Sequence, residues 1–298
     1  MNARLSFIQV LSPLHAGTGQ GSGIIDLPIA REKATNLPYF PGSSFKGTLK
    51  AHYTGANKAQ VYGTDMPDAY ADEHAASSVQ ISDQKLLLLP MRSLAGVFAW
   101  VTCPYVLHRL ERDINATGRK DKGSEHIAIP TVSDTDCLIA KADGAIKSTI
   151  SMDIGKEKAV YLEDLDFHAQ ENAEVMAWAR WIGKQVFPQD ADWQRMLIER
   201  ICVVHDNVFT FLLETATEVT ARIRLKEESK TVEQGGLWYE EALPTETILS
   251  GLVLATPHGQ APLSPEQVFA VVNTHSGALL QLGGSATVGR GLCRFYLS

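Results

Sequence analysis

Apolar and polar positions along the chain follow two periods, and the changes of period mark its elements. Residues 4 to 11 (RLSFIQVL) put Leu5, Phe7 and Leu11 on one face and Ile8 and Val10 on the other. That is the near two-sided apolar pattern of a central strand. At the far end, Leu292 to Ser298 alternates, with Cys293, Phe295 and Leu297 on one face and Arg294 and Tyr296 on the other, which predicts a closing strand. Between them a helix is expected from about Asn172 to Val186, where Val175, Trp178, Ile182 and Val186 form a stripe. A second is expected from Asp192 to Val204, on Trp193, Met196, Leu197, Ile201 and Val204. A third begins at Ser264-Pro265-Glu266-Gln267, an N-cap, a first-turn proline and the glutamine of a capping box, and ends before Gly277. Strands and helices mixed in this way predict an α+β fold.

The most apolar stretch, Leu86 to Cys103, is interrupted by Pro90, Arg92 and Ser93, whereas a membrane span needs ~20 consecutive apolar residues. It predicts a pair of buried strands. Thr54 to Gln84 and roughly Arg109 to Asp166 show little periodicity and are expected as insertions into one domain, since no repeat or low-complexity linker divides the chain. Val219 to Lys226 sets Val219, Ala221, Ile223 and Leu225 against Thr220, Arg222, Arg224 and Lys226. That strand, with one apolar and one basic face, continues through a turn-like ESKTVEQGG to LWYEEALP, the pattern of a β-hairpin or arm.

Composition changes this picture little. The 298 residues are 45% hydrophobic and 20% charged, as in an ordinary globular domain. The start, MNARLSFIQVL, has no basic segment followed by an apolar run, so a cytoplasmic protein is expected. Cys103, Cys137, Cys202 and Cys293 are scattered without a CxxC pair, which argues for core thiols rather than a zinc site. The net charge of −7 argues against indiscriminate nucleic-acid binding and leaves room only for a local basic groove.

Three segments can carry chemistry. Residues 13 to 50 run from a strand through Gly17, Gly19, Gly21 and Gly23 to Asp26, Arg31, Lys33 and a short helix starting near Ser43 or Ser44. Glycines let backbone amides approach an anion, and the helix start with Lys46 offers donors to a phosphate. No Gly-Lys-Ser/Thr follows, so the Walker pattern fails, and no G-x-S-x-G elbow surrounds the serines. Before the last strand, Gly283, Gly284, Gly289 and Gly291 with Thr287 and Arg290 form a second loop able to lie against a phosphate backbone. The third group is His15 and Asp26 flanking the first loop, with Glu240 and Glu241 far along the chain. A histidine and carboxylates are what phosphodiester cleavage needs for proton handling or for holding a metal. Two glycine loops around an anion also fit an enzyme acting on a phosphorylated metabolite.

Taken together, PLHAGTG around His15, IIDLPIAREKATNLPYFPGSSFKGTLK from Ile24 to Lys50, LLLLPMRSLAGVFAWVTCPYVL from Leu86 to Leu107, LWYEEALP from Leu237 to Pro244 and the late GGSATVGRG resemble one family nearly end to end. It is the backbone subunit of the Cmr, or type III-B, CRISPR effector complex, within the RAMP superfamily. The resemblance implies a modified ferredoxin-like (RRM-like) core with inserted fingers and a thumb hairpin, here at about 205–245. It implies copies stacked head to tail along a guide CRISPR RNA beside other Cmr subunits, with endonucleolytic cleavage of target RNA at regular intervals.

By the same resemblance Asp26 is the chief catalytic residue and a ligand of a divalent ion, Mg²⁺, with His15 and Glu240 in support. Lys46, Ser43, Ser44, Gly283, Gly284, Thr287, Gly289 and Arg290 would contact guide RNA, and Arg222, Arg224 and Lys226 would sit on the thumb. Ala242 stands beside the WYEE carboxylates without an assigned role, and the acidic net charge departs from that of a solitary RNA binder. A scaffold that binds both RNAs without cutting is the alternative, and the presence of both Asp26 and His15 argues against it.

Overall fold

The computed structural model describes residues 2–19, 24–64, 76–118, 127–257 and 262–298. Its first half contains β1 (Asn2–Val10), β2 (Tyr39–Phe40), α1 (Gly42–His52), α2 (Lys58–Tyr62), β3 (Val79–Ile81), β4 (Gln84–Arg92), β5 (Phe98–Thr102), α3 (Pro104–Ala116) and β6 (Asp136–Ala140). There follow β7 (Ser151–Ile154), β8 (Glu157–Leu162), β9 (Leu165–Asn172), α4 (Ala173–Val186), α5 (Ala191–Arg200), β10 (Ile201–Val204) and α6 (Asp206–Leu212). The chain ends in β11 (Glu218–Leu225), β12 (Val232–Ala242), β13 (Ile248–Ala255), α7 (Pro265–Asn273), β14 (Leu279–Gln281) and β15 (Leu292–Leu297).

Thirteen strands join one sheet in the order β14-β15-β1-β13-β4-β5-β10-β6-β9-β8-β7, with β2 added to β4 and β3 to β13. Its pairs are antiparallel except β5 with β10 and β6 with β9. β11 and β12 stand apart as a two-stranded hairpin. The fold is thus α+β around a large, mostly antiparallel sheet.

β1 lies between β13 and β15, and Leu5, Phe7, Ile8 and Val10 are all buried because helices cover both of its faces. Phe7 stands opposite Tyr296 and Ile8 opposite Phe295, hence on opposite sides of the sheet. On the first side Phe7 meets Trp181 of α4 edge-on at 6.2 Å, and on the second Phe295 meets Phe45 of α1 at 5.1 Å. The expected capping box of α7 is formed, with Ser264 and Gln267 each taking the other's backbone N–H. All four cysteines are buried and free. Leu86 to Cys103 is the β4–β5 hairpin.

The helix expected from Asp192 to Val204 is corrected. α5 ends at Arg200, and Ile201–Val204 becomes β10, buried along its length between β5 and β6. The four apolar residues ICVV match a helical stripe and a doubly covered strand equally well, and the two free sheet edges decide. The 109–166 stretch carries the end of α3, three strands of the sheet and the start of β9, and 54–84 carries α2 and β3. Gly21 and Gly23 of the first loop lie outside the described residues. Among the described residues no helix is long and apolar enough to cross a membrane.

Candidate functional site

After β1 the chain threads between the late glycine loop and the root of the β11–β12 hairpin. Gly291 N–H donates to Pro13 O at 2.9 Å, Leu14 and Leu243 exchange two bonds of 2.9 Å, and Gly284 N–H donates to His15 O at 2.9 Å. Glycine is required at position 283, where φ is +70° and a Cβ would stand 2.4 Å from His15 O. The three segments picked out by the sequence therefore meet. They bound an open pocket of about 400 Å³ lined by His15, Gly17, Gly19, Leu27, Ser44, Thr48, Gly283 and Gly284.

His15 is 9% exposed, and its Nδ1 stands 2.7 Å from Glu241 O. A carbonyl only accepts, so Nδ1 carries the proton and Nε2 is the atom left for exchange. Asp26 is exposed, and its Oδ2 accepts the Tyr239 N–H at 2.8 Å. Next to it Leu27 N–H donates to Tyr239 O at 3.0 Å and Glu241 N–H to Leu27 O at 3.0 Å, so the Asp26 segment lies along the edge of β12. His15 and Asp26, 11 positions apart in sequence, are thus anchored two residues apart on one strand edge, roughly 7 Å along β12.

Glu240 and Arg290 are placed differently from what their expected roles suggest. Both are buried, at 4% and 6% exposure. Arg290 Nε lies 3.2 Å from Glu240 Oε1 and Arg222 Nε 3.5 Å from Oε2, ion pairs without hydrogen-bond alignment. Arg290 Nη2 also donates to Thr220 Oγ1 at 3.2 Å. The carboxylate is therefore spent in tying the glycine loop to the hairpin root. Two guanidiniums share that one carboxylate, and Arg290 Nη1 is buried and without a hydrogen-bond partner. Burial lifts the Glu218 carboxyl above its ordinary range, an effect that Arg290 partly offsets.

The basic face of the hairpin is divided. Arg222 turns to the body, while Arg224 and Lys226 are exposed, Arg224 with Glu233 at 4.0 Å. The opposite face projects into solvent, with Val219, Ile223 and Leu237 at 49%, 53% and 54% exposure. Thr287 and Gly289 are exposed, as are Ser43 and Ser44. α1 begins at Gly42, whose N–H already donates to Asp83 Oδ1 at 2.9 Å, so this amide is not open to a phosphate. Lys46 does not line the pocket; burial and Lys50 hold its ammonium below the usual lysine range. Among the described residues no three His, Cys, Asp or Glu side chains gather as a metal cage.

Sequence reasoning missed Thr217, and it named Arg31 and Glu241 without seeing that they pair. Glu241 Oε1 takes Arg31 Nη2 at 2.5 Å and Thr217 Oγ1 at 2.9 Å, and Oε2 takes Ile29 N–H at 3.0 Å. The signal available was the adjacency of the two glutamates in one strand: they point to opposite faces, and each, if covered, needs a partner.

A mixed sheet thus carries a projecting hairpin and, at its root, a glycine-lined pocket beside an exposed aspartate. The chain belongs to the RAMP superfamily, whose model matches residues 7–294. It is 33% identical to the CRISPR system Cmr endoribonuclease Cmr4 of Pyrococcus furiosus over 303 residues, covering 100% of this chain and 96% of that protein. It is 25% identical to the CRISPR system CMR subunit Cmr4 of Saccharolobus solfataricus, covering 96% and 93%. The crystal structure of oligomeric Cmr4 from Pyrococcus furiosus superposes with a TM-score of 0.75 at 26% identity, covering 100% and 98%. A chain of the type III-B Cmr-beta complex bound to cognate target RNA shares the fold, with a TM-score of 0.74 at 20% identity, covering 100% and 97%.

Proposed function

We propose that this chain is a backbone subunit of a type III-B (Cmr) CRISPR effector complex, acting in the cytoplasm as an endoribonuclease. Copies stack head to tail with other Cmr subunits along a guide CRISPR RNA, and each cuts the complementary target RNA once. The full-length match to an endoribonuclease of that name supports this. The observation that carries the site is the anchoring of His15 and Asp26 on one edge of β12, beside a pocket lined by glycines of two loops. In this reading the part of the sheet around β1 is the modified ferredoxin-like (RRM-like) palm, the inserted segments are fingers and the β11–β12 hairpin is the thumb.

Guide phosphates would lie against the exposed Gly283, Gly284, Thr287 and Gly289, over Arg290 beneath that loop and beside Lys46, Ser43 and Ser44. Such contacts position RNA without reading its sequence. Arg224 and Lys226 would meet RNA from the thumb, while Arg222 acts from its root.

In the cut, the target's 2′-oxygen bonds to the adjacent phosphorus and the bond from phosphorus to the 5′-oxygen breaks. The 2′-OH gives up a proton and the leaving 5′-oxygen gains one. That need for a 2′-OH selects RNA over DNA. Asp26 works at the reacting centre, and His15, held by its Nδ1–H, handles protons through Nε2. Glu240 contributes by fixing Arg290 and Arg222 rather than by touching substrate. A divalent ion such as Mg²⁺ fits Asp26, because its Oδ1 takes no partner among the described residues and Mg²⁺ uses few carboxylates plus water and phosphate. When bound, the ion would spread the negative charge of the scissile phosphate.

The test is target-RNA cleavage by the reconstituted complex, with the natural chain against Asp26→Ala, with and without Mg²⁺. A regular ladder from the natural chain, and binding without cutting from Asp26→Ala, is the expected result. If neither cuts while both bind, the chain is a scaffold.

A further inference from the structure

We infer that Glu241 is the positioning residue of the cleavage site: it sets where Asp26 and His15 stand relative to each other and locks that arrangement to the thumb root. The inference rests on the cleavage reading above and adds a residue to it.

Glu241 is 3% exposed, and a buried carboxylate is retained only where paired and hydrogen-bonded. Its partners are concentrated on the site. Oε2 holds the Ile29 N–H, and Oε1 holds the Arg31 guanidinium. Its own N–H bonds Leu27 O. Leu27, Ile29 and Arg31 all lie just after Asp26, so one residue fixes three alternate positions of the segment that carries the exposed aspartate. Its carbonyl, in addition, receives His15 Nδ1–H at 2.7 Å, which selects the tautomer and ring orientation. Thr217 Oγ1, immediately before β11, completes the set at 2.9 Å.

The neighbouring Glu240 serves other groups, the arginines of the thumb and glycine loop. Each glutamate therefore has a distinct duty. Glu241 does not face the open pocket, whose lining includes His15 and Leu27 but not Glu241, so it acts through the residues that it holds.

The experiment compares Glu241→Gln, Arg31→Gln and the double variant in the assembled complex. Arg31→Gln covers the case in which Glu241→Gln folds poorly. Three readouts are taken: target affinity, the single-turnover cleavage rate at saturating target, and hydrogen exchange across residues 24–31. We expect unchanged affinity, a cleavage rate lower by roughly ten- to a hundred-fold, as for small misplacements of reacting groups, and faster exchange confined to residues 24–31. The double variant should lose no more than the worse single one, because both open the same clamp. Faster exchange with an unchanged rate would overturn the inference, as would affinity, rate and exchange failing together over the whole chain. A natural chain that does not cut at all would instead remove the cleavage reading, while the exchange readout still reports whether the clamp exists.

Discussion

Replacing Glu240 by Ala removes the carboxylate shared by Arg290 and Arg222 and leaves two like charges at the thumb root. The magnitude follows from burial. Arg290 is 6% exposed and cannot regain water in place, whereas the Arg222 side chain at 29% can partly do so. Removing one partner of a buried pair costs about 3–5 kcal/mol, most of it the penalty of the stranded charge. At about 2 °C per kcal/mol for a chain of this length, melting should fall by roughly 6–10 °C. Circular dichroism of purified chains measures this directly. Glu240→Ala combined with Arg290→Met should recover most of the loss, since the one charge then left without its partner, Arg222, is 29% exposed and can be solvated in part. Glu240→Gln should fall between, because the amide keeps an acceptor but not the charge. Melting within a degree of the natural chain together with abolished cutting would refute the structural duty assigned to Glu240 and point to direct chemistry by its carboxylate.

Gly283→Ala should lower melting and cutting together, because φ is +70° and the new methyl would meet His15 O at 2.4 Å; the strained backbone alone costs about 1 kcal/mol or more. An unchanged melt would contradict that close approach. Ile223→Ser with Leu237→Ser removes exposed apolar side chains, so melting should stay within about 1 kcal/mol equivalent while assembly or target cutting weakens; a large loss of stability would mean that the face is covered within the chain. Burial raises the Glu246 carboxyl above its ordinary range, a shift that a bond from Gln9 partly offsets. A group with a raised folded pKa stabilises below its unfolded pKa and loses that contribution as pH rises through the folded value. Glu246→Gln should therefore match the natural chain in acid and melt higher near neutral pH, and a gap that closes with rising pH would reverse the sign.

The sequence pattern was legible wherever one element carried its own evidence. β1 and β15 showed their faces by alternation, α7 its start by the Ser264–Gln267 box, and the β11–β12 hairpin its turn. It failed at β10, where Ile201 and Val204 extend the stripe of Trp193 and Leu197 at helical spacing. Only the edges of β5 and β6, supplied by distant residues, convert that segment to strand. The site followed the same rule. The sequence marked His15, Asp26 and both glycine loops because turns and motifs are local. It could not show that Arg290 spends its guanidinium on a glutamate 50 positions earlier, nor that Arg31 and Glu241 pair across 210. Such pairings leave no period to read.

The acidic net charge and the proposed hold on RNA are compatible once the charges are sorted by duty. Arg31, Arg222 and Arg290 are engaged with Glu240 and Glu241 at the site itself, so part of the formal charge count describes internal ties. Phosphate contacts would then come from close approach to the exposed glycine loop and from a few surface cations, which a single chain supplies weakly and the proposed stack of copies would supply many times over. Strand geometry keeps the two ties apart. Consecutive residues of β12 point to opposite faces, so Glu240 reaches the glycine loop on one side while Glu241 reaches the Asp26 segment on the other. Both ride on the strand that forms half of the projecting hairpin. A displacement of the hairpin would therefore be felt at the late glycine loop and at His15 and the Asp26 segment together, through one strand and without a separate signalling element.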